Sequence, residues 1–224
     1  MSGLFISFEG GEGSGKTTQS DMLVARLEAE CGRRVVRLHE PGGTPLGEHI
    51  RGWVKDQNAP LMLQAELLLF AASRAELVQR VIRPELSQDA IVVADRYADS
   101  TTVYQGNARG LPLEEVTAAN AIATGGVWPH LTFLLDIPPD ASLRRVGVQT
   151  SFDMEGHIVP IARAEDSSFR RFEELSTPFH RKVRDGYLQL AKAEPGRWVV
   201  LDASQPMEAV HAQVWERVQE LLAM

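Results

Sequence analysis

Eight residues near the start, Gly10-Gly11-Glu12-Gly13-Ser14-Gly15-Lys16-Thr17, constrain this chain more than any other feature. They satisfy the spacing G-x-x-x-x-G-K-[ST]. The apolar run Leu4-Phe5-Ile6-Ser7-Phe8 precedes them and a helical stretch, residues 16 to 30, follows, which is the context that gives the pattern meaning. Glycines at these places let backbone N–H groups turn inward around phosphate oxygens. The N-terminus of the following helix adds partial positive charge. Lys16 is placed to reach β- and γ-phosphates, and the Thr17 hydroxyl suits Mg2+. The pattern points to a bound nucleoside triphosphate and says nothing of what is done with it.

The rest of the chain keeps one rhythm. Short apolar runs, Val35–Leu38, Ile91–Ala94, Leu131–Leu135 and Trp198–Leu201, alternate with helical stretches near 46–55, 61–86, 113–124 and 207–222. Continuously apolar strands separated by helices predict an α/β fold: a five-stranded parallel sheet flanked by helices in three layers, the P-loop NTPase arrangement. Ligands in such folds sit at the carboxyl ends of the strands. Glu9-Gly10, Glu40-Pro41, Asp95-Arg96 and Asp136 all fall at those ends. Residues 1–224 read as one domain. One stretch breaks the rhythm: residues 146–162 hold two β-prone pieces around Glu155-Gly156, between Arg144-Arg145 and Arg163. A small lid spanning about 143–165 is expected there; an ordinary surface excursion is the plain alternative.

Charge and composition narrow the partners. With a net charge of -7, the chain is a poor match for a broad basic face, so no nucleic-acid partner is expected. Its longest apolar run, Leu67–Ala72, is far too short to span a bilayer, and Met1-Ser2-Gly3-Leu4 has no basic leader region, so no membrane association is expected. The single cysteine, Cys31, fits a reducing, cytoplasmic setting.

Four further features bear on chemistry. Asp95 ends a strand beside the phosphate loop, where a carboxylate approaches the metal region, and the adjacent Arg96 can fork onto a phosphate. Phe70 and Arg74, four residues apart on a predicted helix, share a face: a ring to stack on a base and a guanidinium to grip its edge or phosphate, or else a core ring beside a solvated arginine. Arg51 is a weaker candidate of the same kind. Glu12 sits inside the phosphate loop, where a carboxylate is repelled unless it meets a hydroxyl, a metal or an arginine.

Taken in order, these blocks resemble the thymidylate kinase family across nearly the whole chain. Phe8 to Thr18 is similar to its phosphate loop. Glu40-Pro41-Gly42-Gly43-Thr44 with Gly47-Glu48 and Ile50-Arg51 is similar to its second motif, and Phe70-Ala71-Ala72-Ser73-Arg74 to its base-binding helix. Asp95-Arg96-Tyr97, Ser100-Thr101 and Tyr104-Gln105-Gly106 resemble its next block, and Asp202–Pro206 the loop bordering adenine. The resemblance implies phosphoryl transfer from ATP to dTMP, with Mg2+, in a homodimer. It implies ATP contacts from Gly10 to Thr18 and from Ser204 and Gln205, with Thr17 and Asp95 near the metal. For dTMP it implies Phe70 on the thymine, Arg74 on its edge or phosphate, and Arg51 and Arg96 on the phosphate. Ser100, Thr101 and Gln105 would lie by the base, Tyr104 against the sugar 2′ position, and Glu12 at the 3′-hydroxyl. Lys16, Arg96, Glu12 and a lid arginine would be catalytic.

The chain departs from the family in two places. Gly13 stands where one subgroup has a phosphate-loop arginine. Arg163-Ala164-Glu165 resembles the other subgroup's lid block, Asp-Arg-x-Glu, with Ala162 in place of the aspartate. Arg163 is the first candidate for the catalytic lid arginine and Arg145 the second. Three alternatives stay open on sequence: a kinase of another pyrimidine monophosphate, a P-loop switch that turns over nucleotide without an acceptor, and a relative that binds without transfer.

Overall fold

The computed structural model describes residues 3–56, 61–145, 149–152, 158–161 and 176–223. Five parallel strands form the central sheet: β1 (Leu4–Glu9), β2 (Val35–His39), β3 (Ile91–Asp95), β4 (Leu131–Asp136) and β7 (Trp198–Asp202), in the order β2-β3-β1-β4-β7. Each strand is as apolar as its burial requires. All six residues of the central β1 are buried, whereas edge strands β2 and β7 keep exposed positions. Side chains alternate across the pleat. Leu4, Ile6 and Phe8 join Ile91, Val93, Leu131 and Phe133 on one face, and Phe5 joins Val92 and Ala94 on the other. Ser7 is buried as well, and its hydroxyl meets that of Thr132 on β4 at 2.9 Å.

Helices cover both faces. On one, α1 (Lys16–Glu30) and α9 (Met207–Leu222) supply Leu23, Leu27, Val210, Val214 and Trp215. The other is covered by a long helical run. It begins as α3 (Leu63–Leu77), passes through a π-helical turn over Val78–Ile82 and ends as α4 (Arg83–Ser87). One helix was expected over 61–86. The turn between α3 and α4 falls just before Pro84, which has no N–H to continue an α ladder. Ahead of it, α2 (Pro45–Lys55) starts on Thr44, whose hydroxyl accepts from Gly47 N at 3.0 Å, with proline at the first position. α6 (Leu113–Thr124) packs beside α3 through Leu67, Leu111 and Val116.

Three helical pieces were not anticipated. α5 (Ala98–Thr101) runs directly into a π-helical segment, Thr102–Ala108. α7 (Pro139–Arg145) opens on the second of the two prolines that end β4. α8 (Thr177–Ala193) buries Val183 and Tyr187 against Val103, Tyr104, Leu134 and Trp198. Between α7 and α8, β5 (Gln149–Phe152) and β6 (Ile158–Ile161) pair antiparallel, Gln149 opposite Ile161 and Phe152 opposite Ile158. The expected lid arginine, Arg163, lies outside the described residues.

Candidate active site

The carboxyl ends of β1, β2 and β3 open into a cleft of about 670 Å³ whose walls run from the glycine loop to α3. It lies where the strand order departs from β1 in both directions, the place such sheets reserve for ligands.

The loop after β1 needs its glycines. Gly10 has φ 142°, and a Cβ there would come within 2.7 Å of Leu135 O. Gly15 has φ 95° and precedes α1 directly, so the first free N–H groups of that helix face the cleft. Lys16 is nearly buried, and its amine donates to Gly11 O at 2.7 Å. Burial, followed by repulsion from Arg96, lowers the Lys16 amine to about 8. Thr17 donates its hydroxyl to Asp95 Oδ2 at 2.5 Å, so the β1 loop and the end of β3 present two oxygens side by side. Gly13, Ser14, Gly15, Thr18 and Gln205 also line the cleft, with Arg145 of α7, which donates to Ala203 O at 2.9 Å. Ser204 is exposed and turns its N–H and hydroxyl to Asp202 Oδ1, at 2.9 and 2.6 Å.

Arg96 forms the centre of the opposite wall. Its φ is 71°, a left-handed conformation that costs a non-glycine residue about 1–3 kcal/mol unless its surroundings hold it. Here they do: Arg96 N donates to Phe8 O at 3.0 Å, and the next N–H, of Tyr97, donates to Glu9 Oε1 at 2.7 Å. One guanidinium nitrogen donates to Glu12 Oε1 at 2.6 Å and to the Tyr104 hydroxyl at 3.2 Å. The other donates to Gly10 O, Ser100 Oγ and the Tyr187 hydroxyl, at 3.1, 3.1 and 3.2 Å. The Glu12 carboxyl thus has the arginine partner a phosphate-loop carboxylate requires. Burial pushes it up, but Arg96 and Lys16 outweigh burial and bring it down to about 2. Tyr104 also donates to Glu12, at 3.0 Å, and its ring lies 5.0 Å from the Arg96 guanidinium.

Deeper in, Arg74 reaches the cleft from α3 while only 1% exposed. All three of its nitrogens have partners: Nε donates to Glu40 Oε2 at 2.8 Å, one terminal nitrogen to Asn120 Oδ1 at 2.9 Å, and the other to Thr101 Oγ1 at 3.0 Å and to Glu40 at 2.7 Å. Phe70 lies one turn earlier on the same wall, half-buried. Gln105 donates its amide to the buried Glu66 at 2.8 Å. Arg51, from α2, donates to Pro41 O at 2.9 Å and also lines the cleft. The structure therefore brings Glu12, Lys16, Thr17, Arg51, Phe70, Arg74, Asp95, Arg96, Ser100, Thr101, Tyr104 and Gln105 around one opening.

The residues that hold these in place are mostly silent in the sequence. Glu9 and Glu40 stood at strand ends, which was a signal. Glu66, Asn120 and Tyr187 had none, since each meets its partner only through the fold. Glu9 is fully buried, and burial followed by the Asp99 charge raises its carboxyl to about 7.

The chain as a whole is similar to known proteins. A family profile described as thymidylate kinase matches residues 8–214. The thymidylate kinase of Deinococcus radiodurans is 44% identical over 218 residues, covering 97% of each chain. That of Syntrophotalea carbinolica is 46% identical over 212 residues, covering 94% of this chain and 93% of its own. The crystal structure of the thymidylate kinase from Ehrlichia chaffeensis superposes with a TM-score of 0.72 at 32% identity, covering 97% of this chain and 98% of the other. With the phosphate loop, the arginine-lined opposite wall and the match over residues 8–214 in agreement, this chain belongs to the thymidylate kinase family.

Proposed function

We propose that the cleft works as two facing phosphate sites, the glycine loop holding ATP and the Arg96 wall holding dTMP. The reaction is phosphoryl transfer from ATP to dTMP, giving dTDP and ADP. The observation that carries the assignment of sites is the single opening that Lys16, Arg96, Arg74 and Phe70 share.

On the ATP side, the loop N–H groups from Gly10 to Thr18 wrap the phosphates and Lys16 exchanges its bond to Gly11 O for phosphate oxygens. Ser204 and Gln205 border the base. Thr17 and Asp95 offer a hydroxyl and a carboxylate at bonding distance of each other. A small hard cation bound largely through phosphates takes such oxygens, so the donor set fits Mg2+. Mg2+ there supplies positive charge to the β- and γ-phosphates.

On the acceptor side, Phe70 stacks on thymine while Arg74, locked by Glu40, Thr101 and Asn120, forms a rigid polar end to the base pocket. Glu66 is acceptor-only when ionised and claims the donor end of the Gln105 amide. The carbonyl end is then left to meet the base N3–H. Arg96 and Arg51 bind the acceptor phosphate. Tyr104, pinned to Glu12, fills the space a 2′-hydroxyl would need, and Glu12 accepts from the 3′-hydroxyl. Ser100 and Thr101 complete that wall.

The attacking phosphate oxygen is already anionic at neutral pH, so the chain has no proton to remove. Its work is to align two polyanions and neutralise their repulsion. Residues of about 143–165 act as the lid of this single domain, with Arg163, seconded by Arg145, meeting the transferring group and excluding water. The three neighbouring helices α2, α3 and α6 expose Trp53, Leu68 and Ile122, at 56%, 63% and 82%, which supports burial of that layer in a homodimer. A sedimentation mass of one chain at micromolar concentration contradicts that. Among the described residues no helix is long and apolar enough to cross a membrane. The lone Cys31 agrees with a reducing cytoplasm.

The test is ADP formation across a panel of dTMP, dUMP, dCMP and ribothymidine monophosphate. dTMP should lead, dCMP should fail for lack of an N3–H, and Tyr104→Ala should narrow the preference for deoxyribose. A preference for dCMP, or an unchanged sugar preference in Tyr104→Ala, refutes the pocket assignment.

A further inference from the structure

We propose that Tyr187 of α8, fixed by Glu9, is a positioning residue that aims Arg96 at the acceptor phosphate. This rests on the reading of Arg96 as a ligand of that phosphate and extends it to a residue 91 positions further along the chain.

The geometry is specific to the hydroxyl. Tyr187 is fully buried, and its hydroxyl donates to Glu9 Oε2 at 2.8 Å. Ser100 Oγ donates to the same carboxylate oxygen at 2.7 Å. Above pH 7 the Glu9 carboxylate is ionised and only accepts, so it draws protons from the two hydroxyls, which also lie 2.8 Å from each other, and leaves their oxygens to accept from Arg96. One guanidinium nitrogen of Arg96 donates to both, at 3.1 and 3.2 Å. The other oxygen of Glu9 receives the Tyr97 N–H, pinning the backbone immediately after Arg96. One buried carboxylate therefore holds the strained main chain directly and the guanidinium through two hydroxyls.

Without the Tyr187 hydroxyl, that nitrogen keeps Gly10 O and Ser100 Oγ, while its neighbour is still drawn to Glu12 at 2.6 Å. One of its three anchors is then gone, and the pull of Glu12 on the guanidinium is less opposed. The bland alternative is that Tyr187 is a core ring, since it packs 6.4 Å from both Tyr104 and Trp198. Tyr187→Phe separates the two, because it keeps the ring and removes the hydroxyl.

The experiment is calorimetric binding of dTMP and of thymidine at pH 8 to the full chain, as wild type, Tyr187→Phe, Arg96→Ala and the double variant. Tyr187→Phe is expected to weaken dTMP about 5- to 10-fold, the scale of one hydrogen bond to a charged group, and thymidine by less than about twofold. In the Arg96→Ala background it should add no further loss for dTMP. Glu9→Gln, which offers donors where the hydroxyls need an acceptor, should show the same phosphate-selective loss. Equal losses for both ligands, or none for either, assign Tyr187 to packing and overturn the proposal. If Arg96→Ala abolishes the preference for dTMP over thymidine while Tyr187→Phe leaves it intact, this inference alone fails. If Arg96→Ala leaves that preference intact, the phosphate role of Arg96 fails and takes the inference with it.

Discussion

The two walls of the cleft are built by opposite means. The wall proposed for ATP is chiefly one continuous stretch, Gly10 to Thr18, which offers backbone N–H groups and a helix end and in which the side chains, Glu12 and Lys16 apart, are short or absent. The wall proposed for dTMP gathers α2, α3, β3, the helical stretch after it and α8, and several side chains there are held by an acidic one: Arg74 by the buried Glu40, Arg96 by Glu12, Gln105 by the buried Glu66. A phosphate tail is the same on every nucleoside triphosphate, so a local backbone cradle suffices. A base and sugar must be told apart from close analogues, which requires side chains that do not move. The first wall should therefore lose function when cut without losing stability, and the second should lose both.

The largest expected effect tests the second wall. Glu40→Ala leaves the Arg74 guanidinium, 1% exposed, without its counter-ion, and should cost about 3–5 kcal/mol of unfolding free energy in urea titration. A loss below about 1 kcal/mol would mean that the pocket relaxes and the clamp is not structural. Next comes the first wall. Lys16→Ala should lower kcat by about 10²–10³ while the melting temperature barely moves, since it removes a buried charge that already suffers from burial and from Arg96. A matching fall in melting temperature erases the contrast between the walls. The smallest effect is a titration. In the free chain the Lys16 amine is depressed to about 8, and bound phosphates restore its charge. Above pH 8, ATP binding must take up a proton, and affinity should fall by up to about tenfold per pH unit as pH rises toward the ordinary lysine range. Calorimetry in buffers of different ionisation enthalpy reads that proton directly, and an uptake of zero at pH 9 contradicts it.

The same contrast explains what could be read from the sequence. The ATP wall is contiguous, so its motif and the strand and helix around it were legible together. The five strands were legible because a sheet covered on both faces demands unbroken apolar runs. Phe70, Arg74 and Arg96 stood out as candidates because the family blocks are intact, yet nothing local says that Arg74 is buried in a three-partner lock. Glu66, Asn120 and Tyr187 went unread because each meets its functional partner only across 39 or more residues of chain. α8 carries Phe179, Val183, Tyr187 and Leu190 at helical spacing. His180, Arg181, Lys182 and Gly186 interrupt that stripe and hid it. The π-helical segment over Thr102–Ala108 follows no apolar period at all.

The central claim is that two phosphate sites face each other and that neither turns over alone. Release of ADP from ATP by this 224-residue chain, followed with and without dTMP, tests it most directly. The account predicts that ADP appears at a negligible rate in ATP alone and rises by orders of magnitude on adding dTMP, with dTDP formed in equal amount. Steady ADP release that ignores dTMP would contradict it.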